Sequence, residues 1–179
     1  YAVAWGAGTG RLAAELARQS DLRLVVVESD VRKVESVRRD LASAGLYGER
    51  VAVHAAEPRA FELPPYFAAL MVSESLPAGV EGGKIFPSLR PHGGVACLPV
   101  PADRRAGFSR GIEGAETREA GEFLLLRRPG APPGAADWTH EHADAANTRV
   151  SKDAIVKAPL GLLWFGGPSH EGILPRHGH

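Results

Sequence analysis

Apolar and polar positions alternate between two periods along the first part of the chain. Residues 1–5 are a short apolar run ending at a glycine turn, as expected of a buried strand. In residues 9–19, Leu12, Ala13, Leu16 and Ala17 recur at helical spacing. Residues 22–27 form a Val/Leu run, broken only by Arg23, of the kind found in parallel strands covered on both faces. A second helix is predicted over residues 30–44, with Val31, Val34, Val37 and Leu41 on one face and Gly45 as its stop. Its other face carries Arg32, Lys33, Glu35, Arg38, Arg39 and Asp40, a mixed-sign surface that reads as solvated. Further strands are predicted over residues 50–54, 67–72 and 94–100, and an apolar run over residues 122–126 is placed beside the Val95 strand. Strands alternating with helices predict an α/β fold, a Rossmann-like doubly wound and mostly parallel sheet with right-handed crossovers.

Proline and glycine replace the periodic pattern after residue 128. Residues 129–136 read as a linker, so the expected organisation is residues 1–128 as one domain and 137–179 as an irregular or β tail. The 179 residues carry 21 basic and 21 acidic side chains, so no basic excess supports an extended contact with nucleic acid. Cys97 is the sole cysteine and sits mid-strand as a small hydrophobe, with no internal disulfide available to it. No apolar run approaches the roughly 20 residues of a membrane span. Tyr1 lies inside an apolar stretch without initiator Met or signal peptide, so the segment is expected to be cut from a longer polypeptide, truncated at its N-terminus. Its compartment is therefore unassigned.

Chemistry enters at Gly6-Ala7-Gly8-Thr9-Gly10, between the first strand and the first helix, where backbone must approach a ligand closely. A dinucleotide fingerprint requires G-x-G-x-x-G, and its third glycine position is Arg11 here. That weakens a nicotinamide cofactor. Glu28 ends the second strand, where a carboxylate accepts hydrogen bonds from both ribose hydroxyls of a nucleoside, with Ser29 beside it. Glu57 follows the third strand and is expected at the same sheet edge, near a base.

These residues, with the Leu89-Arg90-Pro91-His92-Gly93-Gly94 turn before an apolar strand, resemble the class I S-adenosylmethionine-dependent methyltransferases over residues 1–128. The resemblance implies S-adenosylmethionine as cofactor, with Gly6 to Gly10 along its methionine arm, Glu28 on its ribose and Glu57 near its adenine. It also implies a hairpin over residues 121–128, and cytoplasmic location if the enzyme is active. One position departs from the family pattern: the acid two residues before the first glycine is Ala4, which removes a carboxylate that orients the cofactor's amino end.

The methyl acceptor, a small molecule or a protein with an N- or O-nucleophile, is expected to meet the segment after the fourth strand. Ser73-Glu74 is similar to the start of the glutamate loop of protein arginine methyltransferases, which makes Glu74 the candidate catalytic carboxylate and Glu81 a second one at unusual spacing. Leu63-Pro64-Pro65-Tyr66 differs from the Asn/Asp-Pro-Pro-Tyr signature in its first residue and precedes the fourth strand, so it reads as a rigid lead into that strand. Two other readings stay open: a methyltransferase-like scaffold without turnover, and an NAD(P)-binding oxidoreductase.

The tail, from Asp137-Trp138 through Leu162-Leu163-Trp164-Phe165, resembles the opening of quinoprotein-like β-propellers, which implies the rest of a propeller as neighbour and a cell-envelope setting. One propeller strand cannot bury its own faces. Five of the seven histidines fall here, His140, His142, His170, His177 and His179, and read as polar loop residues without a metal.

Overall fold

The computed structural model describes residues 1–156. Seven strands form a single sheet: β1 (Ala2–Trp5), β2 (Leu24–Glu28), β3 (Val51–Ala55), β4 (Leu70–Val72), β5 (Gly94–Leu98), β6 (Glu116–Ala120) and β7 (Phe123–Arg128). Their order is β3-β2-β1-β4-β5-β7-β6, with the first five parallel and β7 antiparallel to both β5 and β6. The predicted doubly wound sheet is therefore present. Its order reverses between β1 and β4, and a ligand crevice in such sheets opens outside the carboxyl ends of the strands at that reversal.

Period-two alternation along β1 divides the core. Ala2 and Ala4 face the helices α1 (Arg11–Gln19) and α2 (Val31–Ser43), whose Ala13, Ala17, Val34, Val37 and Leu41 close over them. Val3 and Trp5 face the opposite side, with Met71, Ala96, Leu98 and Leu126. There Ile85 of the short α3 (Gly82–Ile85) and Phe108 of α4 (Ala102–Phe108) complete the cover. Both faces being buried explains the unbroken apolar run of β2.

Several local expectations are corrected. Val31 opens α2 but is 56% exposed, and the buried stripe is Val34, Val37 and Leu41. Asp30 caps this helix, its side chain accepting from the Arg32 and Lys33 N–H groups. Strand β6 is exposed at every residue, so its Glu-Thr-Arg-Glu-Ala pattern carried no apolar signal; it pairs through backbone with β7. Residues 56–69 connect β3 to β4 without a helix, and Pro64 and Pro65 lie in this loop, not at the strand itself. Lys84 Nζ donates to the Phe61 carbonyl at 2.9 Å, and the Tyr66 N–H to Pro87 O at 3.0 Å, which tie the loop down in place of helical bonds.

The chain divides at Ala131 and Pro132 into two units. In the second, residues 132–156 contain no helix or strand beyond a His140–Ala143 bridge, and Asp144 accepts from the Ala146 and Thr148 N–H groups. No propeller strand is seen among these described residues. Leu162, Leu163, Trp164 and Phe165, with His170, His177 and His179, lie outside them.

Gly10 fixes how α1 meets α2. Its φ is +81°, and an added Cβ would stand 3.0 Å and 3.2 Å from the two Val37 methyl carbons. Gly10→Ala therefore combines a left-handed non-glycine backbone with crowding against α2. A loss of about 1–3 kcal/mol in urea unfolding is expected.

Candidate functional site: the crevice over the glycine turn

The turn after β1 bends through three glycines with positive φ, Gly6 (+88°), Gly8 (+52°) and Gly10 (+81°). Two of them face a crevice of about 170 Å³ at the sheet reversal, whose walls are Trp5, Gly6, Gly8, Glu28, Ser29, Lys33, Pro58, Glu74, Ser75 and Pro77. Gly6, Gly8, Glu28, Ser29 and Glu74 are thus brought together. Four other candidates are not. Ala7 is buried and offers the crevice no side chain. Thr9 and Gly10 turn to a separate hollow between α1 and α2, so Gly10 serves helix packing and not the crevice. Glu57 is exposed and outside the crevice lining; its carbonyl accepts from Ala60 and Phe61 N–H in a turn, and the wall after β3 is the buried Pro58.

Glu28 is the organising group. It is 9% exposed; its Oε2 accepts from Ala7 N–H at 3.0 Å and its Oε1 from Asp30 N–H at 3.0 Å. One carboxylate thereby joins the glycine turn to the start of α2. Burial by itself raises the carboxyl pKa, but the Asp30 and Ala7 N–H groups and the Lys33 charge together outweigh it and hold the pKa below its ordinary value of 4.5. Each oxygen keeps acceptor capacity beyond the single N–H it receives, which suits a pair of adjacent hydroxyls.

Across the crevice, Ser73 stitches β4 to β1. Its buried hydroxyl lies within hydrogen-bond distance of the Trp5 carbonyl and, at 2.8 Å, of the Ser75 carbonyl, and its single proton serves one of them at a time. The following Glu74 is exposed, and its carboxylate lies so close to Gly8 that an added Cβ there would overlap Oε2. Glu81, the second candidate carboxylate, lines a different cavity and stands 4.0 Å from Arg104, so no two-carboxylate clamp is assembled with Glu74. Cys97 is half-buried and burial pushes its thiol pKa up, the opposite of an activated nucleophile.

The residue pattern did not single out five of the wall residues: Trp5, Lys33, Pro58, Ser75 and Pro77. Lys33 is exposed, as expected of the solvated face of α2, and also borders the crevice beside Glu28. Trp5 is 1% exposed, and its buried Nε1–H has no partner among the described residues. The signal for Trp5 was its place as the last strand residue before Gly6.

No family model matches the chain, and no curated protein does. Solved structures do. The chain is similar to a protein of Methanococcus maripaludis described as an S-adenosyl-L-methionine-dependent methyltransferase, at 16% identity and a TM-score of 0.56 over 73% of this chain and 77% of that one. The Escherichia coli protein YhhF, described as a methyltransferase, matches at 13% identity and 0.57 over 73% and 77%. A SAM-dependent methyltransferase of Aquifex aeolicus matches at 14% and 0.52 over 70% and 79%. The chain has the class I methyltransferase fold. It spans 40% of the length of the SpnF cyclase, at 18% identity and a TM-score of 0.48, so the activity of a whole protein is not read from that likeness.

The sign of the Glu28 shift sets a pH test. A carboxylate with a lowered folded pKa contributes stability that is full above its unfolded value, about 4.5, and is lost as pH falls through the folded value. Glu28→Gln is expected to cost roughly 1–3 kcal/mol at neutral pH, since both N–H groups lose a charged acceptor. Urea unfolding of both proteins from neutral pH to about pH 3 should show that gap closing with acid.

Proposed function

We propose that this domain binds S-adenosylmethionine in the crevice over Gly6 and Gly8 and transfers its methyl group to an N- or O-nucleophile. The observation that carries the proposal is Glu28, a buried carboxylate fixed by Ala7 and Asp30 N–H at the edge of a glycine-lined crevice. Its remaining lone pairs suit the two ribose hydroxyls, Ser29 adds a polar edge, and Pro58 supplies an apolar wall on the side where the base would lie.

Charge separates this reading from a dinucleotide. A pyrophosphate over the glycine turn would meet the Glu74 carboxylate against Gly8, with like charges a few ångströms apart. A cationic sulfonium nucleoside meets attraction instead. When bound, the sulfonium supplies a methyl group already activated for displacement. The protein's part is to hold donor and acceptor in line and to keep water away, tasks for the rigid Trp5, Pro58 and Pro77 walls and for the Ser73 stitch that spaces β1 from β4.

The alternative is a methyltransferase-like scaffold without turnover, favoured by the crevice volume of about 170 Å³, below the ~300 Å³ at which ligand sites usually begin. The tail's likeness to a quinoprotein-like propeller belongs to that reading, as the neighbour such a scaffold would serve.

Calorimetry with S-adenosylhomocysteine tests binding, and transfer of a labelled methyl group to a panel of amine and hydroxyl acceptors separates enzyme from scaffold. Glu28→Ala is expected to weaken S-adenosylhomocysteine at least tenfold, since two charge-assisted ribose bonds disappear. Full-strength binding by that variant, still folded by circular dichroism, counts against the proposal.

A further inference from the structure

We infer that Glu74 holds the ammonium group at the amino-acid end of the cofactor, and does not serve the methyl acceptor. This rests on the reading of the crevice as an S-adenosylmethionine site and assigns its least obvious contact.

Two acids line the crevice, and they differ in what they are free to do. Glu28 already accepts an N–H on each oxygen. Among the described residues, Glu74 makes no ion pair and accepts no hydrogen bond. Its carboxylate rests over the bare face of Gly8, at the turn leading into α1. The cation of the crevice, Lys33, sits with Glu28, which leaves the Gly8 end with uncompensated negative charge.

A sulfonium nucleoside with its ribose on Glu28 must send its amino-acid arm elsewhere along the crevice, and over Gly8, which has no side chain of its own, the group that arm meets is the Glu74 carboxylate. That arm is a zwitterion. Its ammonium needs an acceptor that β1 does not supply, because Ala4 is a buried methyl group. Glu74 reaches the same place from β4. An acceptor role has less support, because Glu81 lines another cavity and no second carboxylate joins Glu74.

Calorimetry on the full 179-residue chain tests this with two ligands, S-adenosylhomocysteine and its analogue lacking the α-amino group. Glu74→Gln is expected to weaken S-adenosylhomocysteine about tenfold, the loss of one charge-assisted bond. Its affinity for the deaminated analogue should equal or exceed wild type, because the lone carboxylate of that ligand no longer meets a negative charge. Glu74 is exposed, so the variant should melt with wild type. Unchanged affinity for S-adenosylhomocysteine, or an equal loss for both ligands, overturns the assignment of Glu74 while leaving the site intact. Failure of the wild-type chain to bind S-adenosylhomocysteine at all overturns the site and the assignment together.

Discussion

Two hydrogen bonds from a single carboxylate hold the working edge of this domain. Glu28 takes the Ala7 N–H with one oxygen and the Asp30 N–H with the other. The first bond fixes the glycine turn after β1; the second fixes the start of α2, one residue before its first helical position. Each donor belongs to backbone that would otherwise be short of a partner at a strand-to-helix junction. Because the acceptor is buried and ionised, both bonds are of the stronger, charge-assisted kind. The shape of the crevice follows from them.

The sheet supplies the frame that makes such a junction useful. Its order reverses between β1 and β4, so the turns leaving these strands diverge and a hollow opens between them. The Ser73 hydroxyl, donating to the Trp5 carbonyl across the two strands, limits how far they part. Small residues on β1, Ala2 and Ala4, let α1 and α2 approach the sheet closely, and Gly10 lets those helices touch through Val37. Three glycines in five residues thus do two jobs. Gly6 and Gly8 clear space on the ligand side, whereas Gly10 removes a Cβ from a helix contact.

Electrostatics then biases what the hollow can take. Glu28 and Glu74 outnumber Lys33 in its walls. In a protein edge of intermediate dielectric, such an imbalance favours cationic over anionic ligands by Coulomb energies of a few kcal/mol at contact distance. The same imbalance sits poorly with pyrophosphate, in agreement with the missing third glycine of the dinucleotide fingerprint at Arg11.

The amino-acid sequence alone determined the parallel sheet, through the buried Val run of β2 and the helical stripe Val34, Val37 and Leu41, because burial imposes a period that any reader of hydrophobicity can recover. It also determined that Glu28 stands beside the glycine turn, since both close adjacent strand-to-helix crossovers. It could not assign β6, whose backbone pairs with β7 while every side chain faces solvent, because backbone pairing leaves no trace in polarity. Nor could it separate Gly8 from Gly10, or Glu57 from Pro58, since neighbours in the chain turn to opposite sides of a bend. Tertiary structure alone decided that the exposed Lys33 borders the crevice, and that Glu81 goes to another cavity while Glu74 reaches Gly8. These are contacts across chain separations, set by how strands order in the sheet and not by any local period.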